Sequence, residues 1–145
     1  MKKLGFLLLF CLIGIVSYPL NFSVSPTKFE IDMEKVRTYS LEITNNTGMP
    51  LRLAVDFEEK DGYKSMADNI VVFPKKISIK PGRKKEIRFT VRDLERFGKG
   101  KYKNLFVLKE IVPESGTEST DESKDLIFKL NIITEIALPI YGVKK

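Results

Sequence analysis

From residue 22 onward the chain alternates apolar and polar side chains with a period of two, in short runs broken by Gly, Pro, Asn and Asp. Tyr39, Leu41 and Ile43 alternate in "TYSLEIT", and Leu51, Leu53, Val55 and Phe57 do so in "PLRLAVDFEE". Ile87, Phe89 and Val91 follow the same rule, with Glu86, Arg88, Thr90 and Arg92 between them. Successive side chains of a strand point to opposite faces, so this pattern predicts half-buried strands. The breaks "NNTG" at Asn45 to Gly48, "KDGYKS" and "KPG" at Lys80 to Gly82 are turn signals. Phe22 and Val24 are followed by Phe29 and Ile31 across Pro26; proline cannot donate to a ladder, so an edge strand that bends or changes sheets is expected. "YKNLFVLKEIVP" is denser in apolar residues and suits a central strand, whereas "DLERFGKGKY" is the one place for a helical turn.

The longest stripe lies in "DLIFKLNIITEIALPIYG", Asp125 to Gly142, where every even position from Leu126 to Ile140 is apolar except Thr134. Its second half, Ile136 to Ile140, is expected to close a core; its first half, Leu126 to Ile132, serves equally well as core or as an edge offered to another chain. The preceding segment Glu114 to Asp125 contains no large apolar residue and sets five carboxylates against Lys124, so it buries nothing and a mobile loop is expected. The count is seven to eight strands with turn signals about every ten residues, the pattern of an all-β, immunoglobulin-like Greek-key β-sandwich. The Cys, Trp, Cys signature of antibody domains is absent, because the chain has no tryptophan.

Composition narrows the chemistry. Lys2 and Lys3 precede the apolar run Leu4 to Val16, which has signal-peptide length and is short for a bilayer span. Residues 1–20 are therefore expected to be an export signal, cleaved or retained as an anchor, and residues 21–145 a single domain in the periplasm. Cys11 lies inside the apolar run and the chain has no histidine, so the exported part lacks disulfides, thiol nucleophiles, imidazole bases and ordinary zinc ligands. No GxSxG, HExxH or phosphate loop is present, and neither an enzyme nor a cofactor is expected. The net charge of +6 becomes +4 without Lys2 and Lys3. Outside the cytoplasm nucleic acid is not the expected partner. The cluster Lys75, Lys76, Lys80, Arg83, Lys84, Lys85, Arg88 and Arg92 reads first as solvated strand faces and a turn, with weak contact to anionic envelope polymers as the alternative. Asn45-Asn46-Thr47 has the form of a glycosylation acceptor but reads as a turn.

The order of these features resembles the N-terminal domain of the periplasmic pilus chaperones of the chaperone/usher pathway. The similar pieces are "FSVSPTKFEI", "YSLEITNNTG", "FPKKISIKPGRKKEIRFTVR", "LFVLKEIVP" and "IFKLNIITEIALPIYG", spread over Phe22 to Gly142. The resemblance implies a chaperone that lends an edge strand to an incomplete pilin-like subunit, with an outer-membrane usher as a further partner; β-strand addition of this kind is a general recognition mode. By position the donor side chains would be Leu126, Phe128, Leu130 and Ile132, and Lys28 would anchor the subunit's terminal carboxylate. Lys28 stands where the family usually has arginine, which keeps the charge and loses bidentate binding. The family's second anchoring cation falls near Ala137, where this chain has a methyl group. The family also continues into a second domain, so a one-domain relative is expected. A structural or adhesive envelope protein with the same fold and no chaperone activity is the competing reading.

Overall fold

The computed structural model describes residues 20–112 and 133–145. Among them nine strand segments form two facing sheets. They are β1 (Phe22–Ser25), β2 (Phe29–Ile31), β3 (Thr38–Asn45), β4 (Leu51–Glu59), β5 (Ile70–Phe73), β6 (Lys76–Ile79), β7 (Lys84–Val91), β8 (Gly100–Glu110) and β9 (Glu135–Lys144). One sheet has the order β1-β3-β7-β5 and the other β2-β9-β8-β4-β6. All pairings are antiparallel except β2 with β9. This is the sandwich expected from the alternation, and β8, the densest apolar run, is central.

Two strands are divided between the sheets. β1 pairs with β3 and, across Pro26, the same run continues as β2 beside β9. β5 pairs with β7 and, across Pro74, continues as β6 beside β4. Counting each divided strand once gives seven. At both crossings the inward apolar parity changes from even to odd: Phe22 gives way to Phe29 and Ile31, and Val72 to Ile77 and Ile79. A chain that crosses to the facing sheet must redirect its side chains to keep them in the same core, and proline sits where no ladder donor is needed.

The apolar faces meet in one core. Phe29 packs edge-on against Phe89 with ring centroids 4.9 Å apart, and Phe57 likewise against Phe106 at 5.1 Å. Leu41, Ile43, Leu53, Ile79, Ile87, Leu108 and Ile140 fill the space around them. The expected helical turn is a single 3-10 turn at Leu94–Arg96, and a second one at Ala67–Asn69 precedes β5. Two asparagines are fully buried, and each satisfies backbone that the ladders leave unpaired. Asn45 donates to the carbonyls of Met49 and Ile79, and Asn104 accepts from the Met66 amide at 2.7 Å. The Asn45 side chain is thus committed to the turn, in keeping with the turn reading of "NNTG".

Candidate functional site

β9 hydrogen-bonds to β8 along its length, from Lys109↔Glu135 to Gly100↔Lys144. On its other side β2 covers only Ile140 to Gly142. Among the described residues, Glu135 to Pro139 therefore present an uncovered edge of the five-stranded sheet. β1 is the outer strand of the facing sheet, and because it is the first half of the strand that becomes β2, its free edge borders the same opening. An uncovered strand carries unpaired backbone donors and acceptors and is a template for a further strand.

Side-chain parity along β9 fixes which residues face inward. Leu138 and Ile140 are buried in the core and Ile136 packs against it, whereas Glu135, Ala137 and Tyr141 are exposed. Ile136 to Ile140 therefore do close the sandwich. Leu126, Phe128, Leu130 and Ile132 share the even parity of this inward stripe in the sequence but lie outside the described residues, as does the acidic loop.

At the top of the opening the two sheets are tied together by polar side chains. The Asn21 amide donates to Glu110 Oε2 at 3.2 Å and to Thr134 Oγ1 at 3.3 Å. Thr134 N donates to the same Glu110 oxygen at 3.3 Å, and Glu110 N donates to Thr134 O at 3.0 Å. This bridge joins residues 113 positions apart, and no local pattern in the sequence signals it.

Lys28 directly precedes Phe29, whose partner is Ile140, so it stands level with Pro139 where the cover of β9 ends. Its ammonium is exposed and lies 3.9 Å from Glu30, also exposed. An ion pair between two solvated side chains contributes about 0–1 kcal/mol, so Lys28 can exchange partners at little cost. Ala137 is exposed opposite Val107, and the structure brings no cation to its cross-strand position. Further along the outer face, Lys103 lies 4.7 Å from the Tyr141 ring centroid and 5.3 Å from that of Tyr63. The Tyr141 hydroxyl holds the Lys103 ammonium above the usual lysine range, against a smaller opposing effect of desolvation.

The members of the basic cluster are exposed, as solvated faces require; within it Lys84 pairs with Glu42 at 2.9 Å and Arg88 with Glu86 at 2.7 Å. A cleft of about 480 Å³ at the far end of the sandwich gathers Glu30, Asp32 and Glu34. Asp32 and Glu34 are engaged by Arg37 and Lys144, and Glu30 makes only the loose, solvated contact with Lys28. The Glu34 amide, then Arg37 and the Lys35 amide, hold the Asp32 carboxyl below its ordinary value.

No family model and no curated protein matches the sequence. Solved structures do match the fold. The Escherichia coli chaperone DraB superposes with a TM-score of 0.61 at 11% identity, over 84% of this chain and 54% of that one. A chain of the CsuC-CsuE chaperone and tip adhesion subunit pre-assembly complex from archaic chaperone-usher pili of Acinetobacter baumannii gives 0.61 at 14% identity, over 87% and 58%. A chain of the Salmonella enterica SafA pilin in complex with the SafB chaperone gives 0.60 at 12% identity, over 88% and 56%. The resemblance seen in the sequence is thus met in three dimensions, at the level of the fold, and the chain spans a little over half the length of these relatives.

Proposed function

We propose that this protein is a periplasmic chaperone-like binder that holds exported, pilin-like subunits by adding a strand to them at the open edge of β9. The observation that carries the reading is the uncovered run Glu135 to Pro139, reached directly from the apolar alternation Leu126, Phe128, Leu130 and Ile132. In this reading those four side chains fill the guest's groove while the backbone completes its ladder. Burying each contributes about 1.5 to 3 kcal/mol. Association costs about 4 to 15 kcal/mol, so the stripe alone does not guarantee capture. The ladder must supply the rest, at about 0.5 to 1.5 kcal/mol per backbone hydrogen bond. Lys28, at the mouth of the same edge, receives the guest's terminal carboxylate as a single cation. An outer-membrane usher is a further partner under this reading.

The test is capture of a pilin-like subunit from a periplasmic extract, with mass spectrometry of what is retained. Leu130→Asp is expected to abolish capture while leaving the thermal transition in place, and Lys28→Gln to weaken it less. Capture unchanged by Leu130→Asp refutes the donor assignment. Recovery of the protein only with itself or with glycan favours the structural or adhesive reading.

A further inference from the structure

Val71 and Phe73 are apolar side chains that the core does not take up. β5 is the last strand of its sheet, paired with β7, and it turns Val72 into the core and these two outward. Phe73 is 80% and Val71 45% exposed, on the outer face beside Arg88 and Thr90 of β7. Leu20, Val112 and Ile133, at which the described residues begin or break off, lie elsewhere: the first is beside β1 at the opposite edge, and the other two continue β8 and β9 of the facing sheet. The backbone of β5 is open as well. Arg92 N donates to Asn69 O opposite it, so by alternation Val71 and Phe73 turn their N–H and C=O to β7, and Ile70 and Val72 turn theirs away. The Ile70 N–H is taken by Ala67 O, which leaves the Val72 N–H and the carbonyls of Ile70 and Val72 at the edge. Charge marks the two ends of the strand. No ionisable side chain lies between Asp68 and Lys75; both are exposed, and among the described residues neither is in an ion pair.

We infer that β5 is a self-association edge, to which a second copy of this chain adds its own β5, antiparallel, about a two-fold axis at Val72. In that register the two Val72 residues exchange a pair of N–H···O bonds, and Phe73 of each copy lies against Val71 of the other on the outer face. Ile70, whose donor is already taken, falls opposite Pro74 of the second copy, which has none, so no N–H is stranded. Asp68 of each copy is directed towards Lys75 of the other, whereas a parallel copy would set like charge beside like. Self-complementarity of this kind is what an isologous contact requires. One pair of short strands buries less than the roughly 1,200 Å² of a stable complex, so the dimer is weak and forms where the protein is concentrated. The open run of β9 faces the other side of the sandwich and stays free in both copies. The inference therefore stands apart from strand addition there.

The test uses the full chain with Cys11→Ser, so that introduced thiols are the only ones. Sedimentation from micromolar to millimolar protein is expected to show a reversible equilibrium of monomer and dimer. Phe73→Asp removes an apolar pair at both ends of the contact and is expected to raise the dissociation constant roughly 10-fold or more. The thermal transition is expected to stay in place, because the side chain is exposed. Asp68→Lys and Lys75→Asp are each expected to weaken the dimer, and the two in one chain to restore it. Opposed residues that share no hydrogen bonds have Cα atoms about 4.5 Å apart, within disulfide reach. Under oxidation a mixture of Val71→Cys and Phe73→Cys chains is therefore expected to cross-link, and neither variant alone. Cross-links that form as readily in each variant alone, or a dimer indifferent to Phe73→Asp, overturn the inference; association through the apolar run Leu4 to Val16 gives that result. So does a chain that stays monomeric at millimolar concentration, including one whose thiol at position 73 is shielded only when a pilin-like subunit is added.

Discussion

Asn45 is the residue whose loss the structure prices most directly. It is fully buried at the end of β3 and its amide makes four hydrogen bonds. Nδ2 donates to Met49 O at 2.7 Å and to Ile79 O at 2.9 Å, while Oδ1 accepts from Thr47 N at 2.9 Å and Thr47 Oγ1 at 2.7 Å. Asn45→Ala strands the Ile79 carbonyl, whose bond is buried, at a cost of about 1–3 kcal/mol. The other three bonds are partly exposed and water replaces part of each, which adds about 0.5 kcal/mol apiece. The expected loss is about 2.5 to 4.5 kcal/mol, a large part of the roughly 5–15 kcal/mol that holds a domain together. Asn45→Asp is the sharper test, since it sets a carboxylate oxygen against two carbonyl oxygens without changing the volume. At neutral pH it should be less stable than Asn45→Ala. Its introduced carboxyl has a folded-state pKa raised above the unfolded value, so its proton is favoured by folding. Stability is then regained as pH falls from the folded pKa toward about 3.9. Urea unfolding of the three proteins across pH measures both effects. An aspartate variant more stable than the alanine variant at pH 7, or an alanine loss under about 1 kcal/mol, would refute the hydrogen-bond account.

Gly142 lies in β9 between β2 and β8, and a methyl group there would meet Met33 Sδ at 2.6 Å and Cγ at 3.1 Å. Gly142→Ala should cost about 1–3 kcal/mol by overpacking, most of it recovered in a Met33→Ala background; additive losses in the double mutant would exclude the clash as the cause. Asp32 has its carboxyl lowered from 3.8 by the Glu34 amide, Arg37 and the Lys35 amide. A depressed carboxyl contributes stability that is present above the unfolded pKa and lost as pH falls through the folded value. Asp32→Asn should therefore flatten the acid limb of the stability curve below about pH 4, and a limb of unchanged slope would show that these bonds add nothing.

Period-two alternation determined the strands, because the direction of a side chain in a strand depends only on its neighbours in the chain. The turn at Asn45 to Gly48, the short helical turn at Leu94–Arg96, the central place of β8 and the crossing at Pro26 were all legible from that alternation and its interruptions. The crossing at Pro74 carried the same signal, a change of inward parity across proline between Val72 and Ile77. It is visible in the sequence once the Pro26 crossing is understood. Pairing is a different matter. That β2 runs parallel to β9 yet stops after three residues, leaving Glu135 to Pro139 open, depends on partners more than a hundred positions apart. The Asn21, Glu110 and Thr134 bridge has the same origin. The sequence by itself supplied the parity and the charges; only the folded chain decided which strand edge is left uncovered and which distant side chains share a surface, because those follow from contacts that no local period encodes.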